Sequence, residues 1–232
     1  MNNKAFSSVQ EYFQLLGLNI LVHCRNFWEF LRVASRYYSN NQFRRIDLSL
    51  LTSYFLNSPF AISKEFLKKK GERDLYAYGE TPLTTLEYIA NNCQINASDV
   101  VFELGCGRGR TCFWLNAFKG CRVVGVDFVP VFVERANEIK SKYQVKNVEF
   151  RLQDMMLTDL SGATVIYLYG TSLNDGSIKK LIERFKTLPA GTKIITVSYP
   201  LSDYVQEQFE VMSRFQARFP WGEADIYLNI KR

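Results

Sequence analysis

Five short apolar runs, separated by stretches of helical spacing, constrain this chain more than any other feature. They are Val100–Glu103, Cys121–Asp127, Val148–Gln153, Thr164–Tyr169 and Lys193–Tyr199. Most are rich in β-branched residues, which pack well on a pleated surface. Arg110–Phe118, Val131–Tyr143 and Ile178–Lys186 carry helical spacing between them. Strands that alternate with helices need crossover connections, and these produce a parallel sheet with helices on both faces. A further helix is expected over Asp203–Val211, then two alternating runs, Arg214–Phe219 and Ala224–Ile230. The short Pro220-Trp221-Gly222 connection makes those two runs an antiparallel hairpin. The expected fold is therefore α/β: a doubly wound, seven-stranded, mostly parallel sheet with a C-terminal antiparallel hairpin and an N-terminal helical extension.

That extension, residues 1–78, reads as a basic and aromatic helical cap; residues 79–232 read as the sheet domain. Ser8 and Glu11 form a capping box, and Tyr12, Phe13, Leu16, Ile20, Phe27 and Leu31 follow at helical spacing. A second helix is expected over Asp47–Leu56. A third starts at Ser58-Pro59 and stops at Lys70-Gly71, where Lys68, Lys69 and Lys70 suit the negative end of the helix dipole. Thr81-Pro82 supplies an N-cap and a first-turn proline for a helix reaching about Asn91. Residues 1–78 hold 11 Lys and Arg against 6 Asp and Glu; residues 79–232 hold 18 against 17. The basic surplus suits either a solvated face or a docking surface for an acidic partner such as nucleic acid or an anionic membrane.

Five cysteines, Cys24, Cys93, Cys106, Cys112 and Cys121, form no C-x-x-C pair and suit buried thiols in a reducing compartment. One histidine, His23, argues against a zinc site or a Ser-His-Asp triad. The longest N-terminal apolar run, Leu15–Cys24, is interrupted by Gly17, Asn19 and His23, so neither a signal peptide nor a membrane span is expected. The expected location is the cytoplasm.

Gly105, Gly107 and Gly109 follow the first strand, where doubly wound sheets bind ligands. Their spacing is G-x-G-x-G, and Arg110 stands where a dinucleotide loop needs a small residue. The phosphate loop G-x-x-x-x-G-K-[ST] is absent. Glu103 ends the first strand and Asp127 the second. A carboxylate at Asp127 can accept both hydrogen bonds of a ribose diol. One at Glu103 suits a cationic group, which pyrophosphate lacks and an aminoacyl sulfonium nucleoside carries.

Glu103-Leu104-Gly105-Cys106-Gly107-Arg108-Gly109 resembles motif I of class I S-adenosylmethionine-dependent methyltransferases. Val126-Asp127 resembles their second-strand acid, and Gln153-Asp154-Met155 the segment after their third strand. The resemblance covers about residues 78–232 and implies a Rossmann-like methyltransferase domain. More narrowly, Tyr78-Gly79-Glu80-Thr81, Ala190-Gly191-Thr192-Lys193-Ile194-Ile195 and Tyr199-Pro200-Leu201 are similar to segments of the non-SET lysine methyltransferases, the disruptor-of-telomeric-silencing type. The fourth strand departs from that group, with Tyr167-Leu168-Tyr169-Gly170-Thr171-Ser172 replacing an Asn-containing loop. The resemblance implies S-adenosyl-L-methionine as cofactor, S-adenosyl-L-homocysteine as product, and a protein lysine as acceptor. It implies cofactor contacts at Glu80, Thr81, Glu103, Gly105, Gly107, Asp127, Phe128, Asp154 and Met155, and catalytic roles for Tyr78 and Tyr169 in an aromatic channel that includes Tyr167.

No [ND]-P-P-[FY] motif or Pro-Cys nucleophile follows the fourth strand, which argues against adenine-amino, glutamine-amide and cytosine-C5 chemistry. An RNA or small-molecule acceptor, a catalytically silent binding module, and an NAD-linked oxidoreductase stay open as alternatives.

Overall fold

The computed structural model describes residues 25, 27–72 and 74–232. The Ser8–Glu11 capping box, the apolar positions from Tyr12 to Ile20, His23 and Cys24 lie outside the described residues. The described residues form two compact units, one ending at Arg44 and one running from Arg45 to Arg232. In the first, residues 27–37 are helical (α1). Buried Tyr37 meets Phe43 edge-on, and the Asn40 side chain accepts the Phe43 N–H at 3.0 Å.

Helix α2 spans Asn41–Ser53, further toward the N-terminus than the expected Asp47–Leu56. Helix α3, Pro59–Lys70, follows its sequence signals. Ser58 accepts the Ala61 N–H, Pro59 opens the first turn, and Gly71 closes the helix in the left-handed conformation. Helix α4 covers Leu83–Asn92. Here the expected cap fails: Pro82 is the N-cap residue and makes no side-chain bond, because the Thr81 hydroxyl is hydrogen-bonded to Tyr167 at 2.6 Å.

The second unit is built on one seven-stranded sheet, ordered β3-β2-β1-β4-β5-β7-β6. Strands β1 (Val100–Leu104), β2 (Arg122–Asp127), β3 (Val148–Leu152), β4 (Val165–Leu168) and β5 (Lys193–Val197) run parallel. Helices α5 (Arg110–Lys119), α6 (Pro130–Lys142) and α7 (Asp175–Phe185) provide the crossovers. Val101 of β1 registers with Val123 of β2 and with Val165 of β4. Alternation sends Phe102 and Leu104 into a core that includes Ile178, Leu181, Ile182 and Phe185 of α7. Each such fully buried side chain contributes roughly 1.5–3 kcal/mol of transfer free energy. Val101 and Glu103 point to the opposite face, toward α5.

Antiparallel β6 (Phe209–Phe219) and β7 (Gly222–Lys231) complete the sheet. The helix expected over Asp203–Val211 is absent. A 3-10 turn, Leu201–Asp203, leads instead to a strand that starts at Phe209. Val205 and Phe209 have helical spacing, but Phe209 is buried in the α7 core and pairs with Lys231 of β7. Long-range pairing overrides the local pattern. The chain leaves β1 toward β2 and β3, then returns to β4 on its other side. The switch point thus lies between β1 and β4, and it places a crevice beyond their carboxyl ends.

Candidate functional site

The crevice is lined by Gly79, Glu80, Thr81, Glu103, Gly105, Cys106, Gly107, Arg108, Arg110, Thr111 and Tyr169. Its floor is the loop between β1 and α5. Gly105 and Cys106 both donate their N–H groups to the Val126 carbonyl, at 2.8 and 3.0 Å, which docks the loop on the end of β2. Gly105 and Gly107 have φ of 81° and 54°, a region that L side chains avoid. A Cβ at Gly105 would stand in open space, whereas one at Gly107 would lie 3.1 Å from the Tyr78 ring. The loop is therefore open beside Gly105 and covered by Tyr78 beside Gly107.

Asp127 holds the loop from the second strand. Its Oδ2 accepts the Gly107 N–H at 2.8 Å and its Oδ1 the Val129 N–H at 2.9 Å. Burial raises its pKa, and these backbone donors oppose the rise. Glu103 is buried behind the loop, where the Thr111 hydroxyl donates to it at 2.6 Å and the Cys112 thiol at 3.1 Å. Burial pushes its carboxyl up to about 7 against those two donors.

The segment before α4 forms the lid side of the crevice. Arg108 donates from Nη2 to Glu80 Oε2 at 2.7 Å, and the Tyr78 hydroxyl donates to Glu80 Oε1. Burial pulls the Glu80 carboxyl upward, but Arg108 and Tyr78 outweigh it and hold it below the ordinary range. Burial and the Glu80 charge push Tyr78 well above the ordinary phenol value, so it remains a proton donor at neutral pH. Thr81 reaches the wall of the crevice, with its hydroxyl bonded to Tyr167.

Tyr169 stands just past β4. Its hydroxyl accepts the Trp221 indole N–H at 2.6 Å. Its ring lies 2.8 Å from where a Gly79 Cβ would be, so only glycine fits there. Phe219 packs beside Tyr169 at 5.5 Å and stacks on Trp221 at 5.4 Å with 10° between planes. This end of the crevice is an aromatic wall.

Five of the residues singled out in the sequence are outside the crevice lining: Tyr78 and Asp127, which both border Gly107, and Phe128, Asp154 and Met155. Phe128 follows Asp127, and Phe66 and Lys70 of α3 contact its ring. Asp154 is exposed past β3 and accepts the Met156 N–H at 2.8 Å in a local turn. Met155 is partly buried against the α7 core. Among the described residues, no three His, Cys, Asp or Glu side chains converge as a metal site would require, and no helix is long and apolar enough to cross a membrane.

Sequence reasoning missed the ion pairs. Arg108 and Arg110 received no role from the sequence, yet both are drawn inward. Arg110 donates from Nε and Nη2 to fully buried Asp47 of α2, at 2.6 and 2.8 Å. Two arginines within three residues of a glycine loop were the available signal. Trp221 was passed over as turn filler, although a two-residue turn ordinarily takes Gly or Asn.

Residues 103–208 match the family model described as the ANTKMT methyltransferase domain. A Dictyostelium discoideum protein, histone-lysine N-methyltransferase, H3 lysine-79 specific, is 28% identical over 135 residues; the match covers 52% of this chain and about 7% of that protein. Among solved structures, an RNA methyltransferase from Salinibacter ruber in complex with S-adenosyl-L-homocysteine aligns with a TM-score of 0.55 at 24% identity, over 66% of this chain and 95% of that one. A geranyl diphosphate C-methyltransferase from Streptomyces coelicolor A3(2) aligns at 0.53 and 13%, over 65% and 77%. These structural likenesses establish the fold.

Proposed function

We propose that the chain is a class I, S-adenosylmethionine-dependent methyltransferase whose acceptor is the side-chain amine of a protein lysine. The observation that carries the acceptor is the aromatic wall of Tyr169, Phe219 and Trp221 at one end of the crevice. The histone-lysine relative and the segments resembling non-SET lysine methyltransferases support the same choice.

The cofactor's place in this reading is the loop at Gly105. The space beside Gly105 is open, Glu103 lines the crevice, and Asp127 ties the loop from behind through Gly107. In this reading Asp127 takes the ribose diol, and Glu103 faces the amino-acid end. Glu80 and Thr81 hold the lid segment across the crevice. Phe128, just past β2, and Asp154 and Met155, just past β3, bound the adenine end. When bound, S-adenosylmethionine supplies a methyl group on a cationic sulfur, already activated for displacement.

The protein's remaining tasks are alignment and control of a proton. Holding two reactants in a near-attack geometry is worth roughly 7–11 kcal/mol. A lysine amine must be neutral to attack, and apolar rings desolvate its charged form and lower its pKa. Tyr169 accepts an amine N–H, and Tyr78 stays protonated beside Glu80, closing the lid segment over the loop. Labelled methyl transfer into a cell lysate tests the acceptor. The label should be lost on protease treatment, survive nuclease, and appear as methyllysine after hydrolysis. Label removed by nuclease alone would replace lysine with RNA.

A further inference from the structure

We infer that Trp221 is a positioning residue for the acceptor, acting through the Tyr169 hydroxyl. Three features of the hairpin carry this. Trp221 occupies a two-residue turn, because Phe219 already pairs with Gly222. A large ring there brings no turn propensity, and the side chain is 55% exposed, so burial alone does not account for it. Its N–H bypasses the surrounding water and donates to Tyr169 at 2.6 Å, across 52 residues of sequence. Stacking on Phe219 then fixes the plane of the indole.

The consequence lies in the valence of one oxygen. A phenol oxygen has one proton and two lone pairs. The indole N–H fills one lone pair and sets the direction of the other. Gly79 borders the ring on the edge nearest this oxygen, since a Cβ there would stand 2.8 Å from Tyr169. Tyr169 also lines the crevice together with Gly105 and Gly107. A neutral amine must aim its single lone pair at the methyl donor, so its N–H groups need acceptors on the other side. The free lone pair of Tyr169 is such an acceptor, and Trp221 decides where it points. The amine in this argument rests on the lysine reading above; the coupling of Trp221 to Tyr169 does not.

Trp221→Phe removes the N–H and keeps a ring to stack on Phe219. Tyr169→Phe removes the oxygen. Each is expected to lower kcat about five- to ten-fold, as for one misdirected hydrogen bond. The KM for S-adenosylmethionine should stay unchanged, and the double variant should be no slower than Tyr169→Phe alone. A readout independent of turnover is the indole ¹H–¹⁵N spectrum, which holds three signals for Trp28, Trp114 and Trp221. The signal lost in Trp221→Phe should move upfield in Tyr169→Phe. Multiplying losses in the double variant, an unchanged kcat in Trp221→Phe, or an unmoved indole signal each overturn the inference. A fall in melting temperature of more than about 5 °C in Trp221→Phe would assign the ring to packing and overturn it as well. Identifying the methylated residue separates the two claims. A methylated base with an intact cycle removes lysine and keeps the role of Trp221; methyllysine with multiplying losses does the reverse.

Discussion

At the Gly105 end of the crevice, position is set by main chain; at the Tyr169 end, it is set by side chains. Val126 takes two loop N–H groups on one carbonyl, and Asp127 takes two more. These bonds close over a single β-loop-α-β unit. At the other end, Gly79, Tyr169, Phe219 and Trp221 come from three separate segments, which side chains join: the aromatic rings, the indole bond and the Thr81–Tyr167 hydrogen bond. The first construction suits a ligand that every turnover repeats. The second can be altered residue by residue to suit an acceptor without disturbing the first.

The largest expected effect tests how firmly the cofactor end is anchored. Asp47 is fully buried and its partner Arg110 nearly so. Removing one member leaves the other charge uncompensated, which costs roughly 3–5 kcal/mol. Asp47→Asn should therefore lower the melting temperature by about 10 °C or more. Asp47→Leu with Arg110→Met, which removes both charges, should recover most of that loss. A single variant that melts with the wild type would make the pair incidental.

Next in size is the ligand's own stabilisation. S-adenosyl-L-homocysteine at 100 times its Kd should stabilise the wild-type protein by about 2.7 kcal/mol. Gly105→Asp fills the open space beside the loop, and Asp127→Ala removes its tie to Gly107. Both should abolish the shift in a thermal melt, and NAD should produce none in any variant. A shift with NAD alone would reassign the crevice.

Gly79→Ala sharpens the contrast from the other end. The added Cβ would stand 2.8 Å from a Tyr169 ring that Trp221 holds in place. Acceptor turnover should fall about ten-fold or more, since small misplacements of reacting groups are costly. The thermal shift with S-adenosyl-L-homocysteine should persist. Equal loss of both would mean that the two ends are one construction.

The same contrast governs what could be read from the sequence. The sheet was legible because its strands are short β-branched runs between helices, and β1 and β2 announce the loop by ending in acids around closely spaced glycines. Thr81 was misread because its hydroxyl had two possible partners, and Tyr167, 86 residues away, took it from the helix end. The stretch from Asp203 was misread because β7 supplies the pairing that turns Phe209–Phe219 into strand. Asp47 with Arg110 and Trp221 with Tyr169 are far apart in sequence, so a local signal at Arg110 or Trp221 could not name its partner. What was legible was local, and the Tyr169 end is almost wholly non-local.

The smallest expected effect concerns the charge of the cofactor end. Glu103, at about 7, binds its proton more tightly in the folded chain than an ordinary carboxyl at 4.5. Its contribution to stability is therefore most favourable below about pH 4.5 and declines as pH rises to 7, above which it is flat. Ligand binding should run the other way. A cationic ammonium favours the ionised carboxylate, so binding must release the proton at any pH below 7. The affinity for S-adenosyl-L-homocysteine should rise about ten-fold from pH 6 to pH 8, following the ionised fraction of a group at 7. Asp127 is also raised by burial, so the change must be assigned to one acid. Glu103→Gln keeps an acceptor for Thr111 and cannot titrate. Calorimetry of that variant should give weaker binding with no slope across the same range. A slope that survives in Glu103→Gln would move the titration to Asp127, and a flat wild-type profile would mean that no ligand cation faces Glu103.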